Sequence, residues 1–168
     1  MSPPTPSSSR SSPRGRRHTF ALGGEQRQYD HEVLDVARVV RVVKGGRRFR
    51  FRASVIVGDR AGSVGFGIGK SRDVQQAIQK AQDHASKNMV RVTLKEESIP
   101  HIVKAKFNGA VVLLKPAKPG TGIIAGGTVR TVADLAGIKN LVSKTFGSSN
   151  RANNARATIK ALGNIIVV

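Results

Sequence analysis

The strongest constraint on the fold is a strict alternation of residue types in the segment 42–59, VVKGGRRFRFRASVIVGD. From Phe49 to Val57 the odd positions are apolar and the even positions are mainly polar. A period of two is typical of a β-strand with one apolar face. Gly45-Gly46 stands just before this strand and can supply the positive φ angles of a tight hairpin. The pattern therefore predicts two paired strands, Leu34–Lys44 and Phe49–Val57.

Two further elements complete the first predicted unit, residues 30–95. A third strand, Val64–Ile68, alternates apolar residues with Gly65, Gly67 and Gly69, which leaves one face without side chains, so that another backbone, of protein or RNA, can approach closely. A helix from about Arg72 to Met89 has an apolar stripe at helical spacing, and Ser71 or Asp73 is its candidate cap. The unit is predicted to be a β-β-β-α domain.

Residues 96–168 predict a second, smaller unit of mixed strands and helices. Strands are expected at His101–Phe107, Ala110–Leu114 and about Ile138–Ser143, and helices at Thr128–Ala136 and Asn150–Leu162. The loop 115–127, between the strand Ala110–Leu114 and the helix Thr128–Ala136, is rich in proline and glycine, as turns are. The predicted fold class is α+β, with a β-β-β-α domain followed by a small α/β domain.

The first 29 residues differ from the rest of the chain. Ten of the first thirteen are Ser or Pro, and no acid occurs before Glu25. Such a composition buries too little apolar surface to order itself, which predicts a disordered basic extension. A Ser/Arg-rich, acid-poor start is also typical of an organelle transit peptide, although the prolines disfavour its helix. Both interpretations stay open.

The charge balance indicates the class of partner. The chain has 29 Lys and Arg against 10 Asp and Glu, a net charge of +19. Nucleic acid is the first expectation and an anionic membrane the second, but no apolar run is long enough to span a bilayer. The absence of cysteine excludes disulfides and thiolate metal sites. The histidines lack metal-ligand spacing and no acid/base pair is evident, so no metal, cofactor or enzymatic activity is predicted.

Two segments have partial nucleotide-binding patterns. Gly69-Lys70-Ser71 resembles the end of a phosphate loop, but Val64 stands where that loop needs glycine. Gly120–Ala125 fits the dinucleotide fingerprint, yet prolines separate it from the preceding strand, and Asn140 stands where an acid should bind the ribose. A nucleotide-binding enzyme is therefore a weak alternative.

The hairpin carries the strongest functional signal. Cations without any intervening acid lie at Arg38, Arg41, Lys44, Arg47, Arg48, Arg50 and Arg52. Like charges opposite each other destabilise a sheet, so a patch of one sign predicts a bound polyanion, and arginine can donate two hydrogen bonds to one phosphate. Phe49 and Phe51 are predicted to be core residues, which leaves no platform for stacking bases. We expect recognition of the backbone and shape of folded RNA; a free-standing regulator that binds double-stranded RNA is an alternative.

Four segments, and the order in which they occur, resemble the signatures of the bacterial-type family of small ribosomal subunit protein number five. They are VVKGGRRFRF (42–51), VGFGIGK (64–70), GTGIIAGG (120–127) and FGSSN…NARATI (146–159). The resemblance covers about residues 31–163. It implies an α-β-β-β-α domain similar to double-stranded-RNA-binding domains and a C-terminal α/β domain that contains a βαβ unit. The first helix of the former would have to lie before Val36 in this chain or be lost.

The resemblance also implies a function. Such a protein is a structural constituent of the small ribosomal subunit, in the cytoplasm or, if residues 1–29 are a transit peptide, in an organelle. It would bind small-subunit rRNA, contact small-subunit proteins four and eight, lie near mRNA at its entry side and influence decoding accuracy. The implied RNA-binding residues are those of the hairpin together with Gly45, Gly46, Lys70, Lys115, Lys118, Gly120, Thr121 and Gly122. The implied partner-protein contacts are Asn150, Arg151 and Arg156, with Arg151 where the family usually has proline.

Overall fold

The computed structural model describes residues 29–95 and 97–165. Within these residues lie two four-stranded sheets and three helices. The elements, in chain order, are β1 (Asp30–Val43), β2 (Gly46–Gly58), β3 (Ser63–Ser71), α1 (Val74–Lys87), β4 (Met89–Arg91), β5 (Val103–Phe107), β6 (Ala110–Pro116), β7 (Ile123–Ile124), α2 (Gly127–Leu135), β8 (Leu141–Gly147) and α3 (Arg151–Gly163).

The first sheet has the antiparallel order β1-β2-β3-β4, and its largest part is the hairpin of β1 and β2. Val43 pairs with Gly46, so Lys44 and Gly45 form the turn. Only Gly46 has a positive φ, 135°, whereas the sequence predicted it for both glycines. The predicted β-β-β-α order is confirmed.

The beginning of the first domain differs from what the resemblance implied. β1 starts at Asp30 rather than Leu34, so residues 30–35 form a strand and no helix. The implied first helix would have to lie in residues 1–28, outside the described part of the chain, or be lost. The predicted disordered extension, residues 1–29, also lies outside the described part except for Tyr29, which packs against the core beneath α1. The predicted join of the two domains includes residue 96, which is also outside it, and both boundaries stay predictions.

Helix α1 packs closely on one face of the first sheet. A β-carbon on Gly65, Gly67 or Gly69 would overlap a backbone carbonyl oxygen of the helix, that of Ala85, Ala81 or Ala77 respectively. The three alanines are fully buried, and opposite them lie Ala53, Val55 and Val57 of β2. The prediction that the glycines admit another backbone is confirmed, and that backbone is α1. Asp73 is the N-cap residue, but its side chain makes no capping hydrogen bond.

The second sheet has the order β5-β6-β8-β7. β7 and β8 are parallel and α2 connects them, so β7-α2-β8 is the βαβ unit that the resemblance implied. β7 has two residues and was not predicted. The predicted strand Ile138–Ser143 was wrong in its bounds, because Ile138 is buried in the turn after α2 and its N–H donates to the carbonyl of Ala133.

Helices α2 and α3 lie between the two sheets. Ile56 and Val64, on the face of the first sheet away from α1, join one core with Val132 of α2, Leu162 of α3 and Leu114 of β6. The layers are therefore α1, first sheet, α2 with α3, and second sheet. On the face away from α1, the helices α2 and α3 therefore cover the part of the first sheet around Ile56 and Val64. The tip of the hairpin, residues 44–50, stays outside the core.

A turn of the first domain joins the end of α2 through backbone hydrogen bonds. Arg60 N–H donates to the carbonyl of Leu135 at 3.0 Å, and Gly62 N–H to that of Ala136 at 3.1 Å. A β-carbon on Gly58 would overlap the same Leu135 carbonyl. Carbonyls at a helix end lack partners within the helix, so this turn satisfies them and holds the two domains together.

Candidate nucleic-acid interface

The strand register sorts the predicted RNA-binding cations of the first domain onto two faces of the hairpin. Residues opposite each other point to the same side, and side chains alternate along each strand. Arg41 pairs with Arg48, and Arg52 pairs with Lys70 of β3. One face, which we name the arginine face, therefore carries Arg41, Arg48, Arg50, Arg52 and Lys70. The opposite face carries Arg38 and Arg47.

No acid neutralises the arginine face within residues 29–95 and 97–165. The ion pairs found there join Arg60 to Asp30, Lys139 to Glu97, and Arg151 to Asp35. The residues of the arginine face are exposed, apart from Arg52, which is half-buried. The face thus combines direct like-charge pairs with access to solvent, an arrangement that favours a polyanion.

The opposite face corrects one prediction. Phe49 was expected in the core, but 43% of it is exposed. The guanidinium carbon of Arg38 lies 3.7 Å from the centroid of the Phe49 ring. Phe51 packs against the core beneath α1, as predicted. The prediction failed for Phe49 because alternation assigns a residue to a face, whereas the length of the covering helix decides which residues on that face are buried.

The sequence-based interpretation missed the contact between Arg38 and Phe49. Arg38 is opposite Phe51, so Phe49 is its diagonal neighbour, two residues nearer the tip. Aligning the two strands about the turn at Lys44 and Gly45 would have given this pairing. A β-carbon added to Gly45 or Gly46 would meet no other atom within 4 Å, so the tip of the hairpin is open.

The predicted C-terminal RNA-binding residues form a separate site. Lys115, Lys118, Gly120 and Thr121 are exposed, and Gly122 donates its N–H to the side-chain oxygen of Asn140 at 3.1 Å. Gly120 and Gly122 have φ angles of 85° and 73°, which other residues rarely adopt. Among the described residues no hydrogen bond or ion pair links this loop to the hairpin.

Both nucleotide-binding patterns lack their required surroundings. Gly69, Lys70 and Ser71 lie within strand β3, where a phosphate loop would need a turn into a helix. Gly120–Ala125 leads into strand β7, and α2 begins only at Gly127. The glycine pattern therefore does not open a helix, as the dinucleotide fingerprint requires.

The predicted partner-contact residues of α3 make contacts within the chain. Asn150 is the N-cap residue, and its side-chain oxygen accepts a hydrogen bond from the N–H of Ala152. Arg151 donates to the carbonyl of Leu34 at 2.9 Å and lies 3.7 Å from Asp35. Arg156 lies over the rings of Phe66 and Phe107, with 5.6 and 5.4 Å to their centroids. Arg151 and Arg156 thus link α3 to the first domain, while all three residues stay exposed.

The part of the chain that the structure describes lacks the features of two other kinds of site. It contains no group of three or more His, Asp or Glu side chains placed to hold a metal ion. None of its helices combines the length and the apolar character that crossing a membrane requires. The unpaired cations of the hairpin are therefore the feature that best defines a binding site.

A basic α+β protein with an exposed polycationic hairpin is of the nucleic-acid-binding class. Residues 29–93 match the family described as "Ribosomal protein S5, N-terminal domain", and residues 105–166 match "Ribosomal protein S5, C-terminal domain". The chain belongs to the ribosomal protein S5 family.

Relatives of known identity agree with this assignment. Proteins named "Small ribosomal subunit protein uS5" from Campylobacter jejuni, among them those of strains RM1221 and 81-176, are each 54% identical to this chain over 135 residues. The aligned part covers 80% of this chain and 92% of each relative. The family assignment confirms the predicted resemblance and fold class, and the expectation of a structural, non-enzymatic protein.

Proposed function

We propose that this protein is a structural constituent of the small ribosomal subunit and that its arginine face binds small-subunit rRNA through the phosphate backbone. The observation that carries the proposal is the pairing of Arg41 with Arg48 and of Arg52 with Lys70. The nearest acid on this face, Asp35 opposite Ser54, is paired with Arg151 and not with a cation of the face. In the free protein, like charges opposite each other repel and destabilise the sheet. When RNA is bound, each of these side chains can instead attract a phosphate.

The chemistry of the face fits phosphate better than base edges. Arginine can donate two parallel hydrogen bonds to one phosphate, and the strands set its arginines at regular intervals. The major groove of an A-form RNA helix is too deep and narrow for side chains to read base edges, so duplex RNA is recognised mainly by its shape and its backbone. The loop with Lys115, Lys118, Gly120, Thr121 and Gly122 is proposed as a second contact with rRNA.

We further propose the finer role that the resemblance implies. The protein would act in cytoplasmic ribosomes, contact small-subunit proteins four and eight through Asn150, Arg151 and Arg156, and support the mRNA entry side and decoding accuracy. The exposure of those three side chains supports a partner contact. The organelle alternative depends on residues 1–29 acting as a transit peptide, and imaging of a C-terminally tagged full chain would test it.

The test of rRNA binding uses salt dependence. The variant Arg48→Gln/Arg50→Gln/Arg52→Gln removes three charges from the arginine face, and Arg72→Gln/Lys80→Gln/Lys87→Gln removes three exposed charges near or on α1 as the matched control. If about six side chains meet phosphates, log affinity for small-subunit rRNA falls with log salt at a slope of about −4 to −5. We expect the first variant to lose about half of that slope and the control to keep it.

Two outcomes would contradict the proposal. An unchanged slope in the arginine-face variant would mean that this face is only solvated. Failure of the tagged protein to co-sediment with small subunits would remove the ribosomal role itself. If the protein instead bound any RNA duplex as tightly as small-subunit rRNA, the result would favour the free-standing double-stranded-RNA-binding regulator.

A further inference from the structure

We propose that the other face of the hairpin binds an unpaired RNA base by stacking. We name it the Arg38–Phe49 face; it consists of Arg38, Val40, Val42, Arg47 and Phe49. The inference rests on the proposed function and extends it, because it assigns a second kind of contact to the same hairpin. Its ligand is a nucleobase that is not held in a duplex.

The first line of evidence is an apolar surface that nothing in the described chain covers. Phe49 is 43% exposed and Val42 76% exposed, and Val40, directly opposite Phe49 on the same face, is also exposed. On this side of the sheet, α1 covers β2 from Phe51 to Val57, and it does not reach Phe49. A large aromatic ring left in water next to two valines marks a binding surface when the ring also has a defined partner.

The second line of evidence is that partner. The Arg38 guanidinium lies over the Phe49 ring at 3.7 Å, within the range of a cation–π contact. Arg38 is opposite Phe51, whose ring is held in the core, so the strand beneath the stack is anchored. A guanidinium already held over an aromatic ring can take a base on its outer side and extend the stack.

Charge decides between a base and an apolar segment of another protein. Arg38, Arg47 and Lys44 surround the apolar side chains, and from the tip to Phe51 this face carries no acid. The arginine face lies on the reverse side of the same two strands. An RNA drawn to the hairpin by its phosphates would therefore bring bases next to Phe49 without an additional partner.

The experiment compares two RNA probes with the full chain. One is a 20-base-pair RNA duplex with a single bulged adenosine; the other has an abasic nucleotide at the bulge, so that both carry equal charge. We expect the unsubstituted protein to prefer the adenosine bulge by about tenfold, as stacking of one base on an aromatic side chain allows. Phe49→Leu and Arg38→Lys should abolish the preference and change affinity for the abasic probe by no more than about twofold.

Ile102→Thr is the matched control, because Ile102 is also a strongly exposed apolar residue, 57% exposed, but lies outside the hairpin. It should keep the preference, and thermal melting should show each variant folded. A preference that persists in both Phe49→Leu and Arg38→Lys would overturn the inference, as would its absence in the unsubstituted protein. If Phe49→Leu instead weakened co-sedimentation with small subunits at unchanged affinity for both probes, the occupant would be a protein, and the base-stacking proposal would be wrong.

The two proposals can fail separately. In one outcome, Phe49→Leu loses the base preference, but the arginine-face variant keeps the salt slope of the unsubstituted protein. This outcome would support stacking and reject phosphate binding by the arginine face. The reverse result would leave the phosphate contact and reject stacking.

Discussion

Arg41 and Arg48 stand directly opposite each other on neighbouring strands, exposed and without a carboxylate partner among the described residues. Like charges in this position destabilise a sheet by a few tenths of a kcal/mol to about 1 kcal/mol. The hairpin of the free protein is therefore less stable than its alternation would allow, and the loss is recovered only when an anion lies over the pair.

Reversing one of these charges should separate stability from binding. Arg48→Glu converts the pair to an attractive one, so the free protein should gain about 0.5–1 kcal/mol in urea unfolding at low salt, and less at high salt. Its affinity for small-subunit rRNA should fall at least about tenfold. Lys80→Glu on α1 is the control and should change neither quantity strongly. A destabilised Arg48→Glu, or one with unaltered binding, would refute the role assigned to this pair.

The packing of α1 makes a second prediction. In Gly67→Ala the new β-carbon would overlap the carbonyl of Ala81 and lie 2.6 Å from the backbone nitrogen of Ala85, so the helix must move away from the sheet. We expect a loss of about 1–3 kcal/mol in the free energy of unfolding, as for other overpacked cores. Gly45→Ala, at the open tip and without a positive φ, should cost much less. Equal urea midpoints for the two variants would contradict the close approach of helix and sheet.

The junction between the domains gives a third prediction. Gly58→Ala would force the turn off the end of α2, because the β-carbon meets the Leu135 carbonyl. The N–H groups of Arg60 and Gly62, which donate to Leu135 and Ala136, should then exchange with deuterium faster. Gly127→Ala, at the start of α2 with free space around it, should leave their exchange rates unchanged. Slow exchange retained in Gly58→Ala would mean that these bonds do not hold the domains together.

The same turn should make stability depend on pH. Partial burial acts to raise the pKa of Asp59, but hydrogen bonds from the N–H groups of Ala61 and Ser63, both at 2.8 Å, outweigh it and hold the pKa below the ordinary 3.8. A depressed pKa in the folded state contributes stability above the unfolded value, and this contribution is lost as pH falls through the folded value.

Asp59→Asn tests this expectation. The variant should be less stable than the unsubstituted protein at pH 7, and the difference should narrow as the pH falls below about 4, where the carboxylate begins to take up its proton. Urea unfolding at constant ionic strength measures it. A difference that is the same at pH 7 and pH 3 would show that the Asp59 charge contributes nothing to the turn.

Periodicity predicted the parts of this fold that are long and have one buried face. Helix α1 is such an element, and its buried face and the glycines beneath it were assigned correctly. In β2 the alternation identified the face towards α1, but from Ala53 to Gly58 both faces are buried, because the second face packs in the core with α2 and α3. β7 has two residues, too few to show a period, and its pairing with β8 comes from tertiary structure. Ile138 was assigned to the predicted strand, but it lies in the turn after α2, where it is buried.

The candidate site was predictable in composition but only partly in geometry. The sequence indicated which cations the hairpin carries, yet the division between the arginine face and the Arg38–Phe49 face needed the register of β1 against β2. To predict that Phe49 is exposed, one would have to know where α1 stops covering the sheet. Both depend on residues distant in sequence, which a pattern within one segment does not contain.

The length of the hairpin has a consequence for the timing of assembly. At about 3.3 Å per residue, the strands extend roughly 20 Å from Phe51 to the turn. With one face suited to phosphates and the other to a base, RNA would enclose the tip from two sides. RNA that has already closed into its final shape could not admit such a projection. The protein would therefore have to arrive before the second RNA segment folds, and it would leave only when that segment opens again.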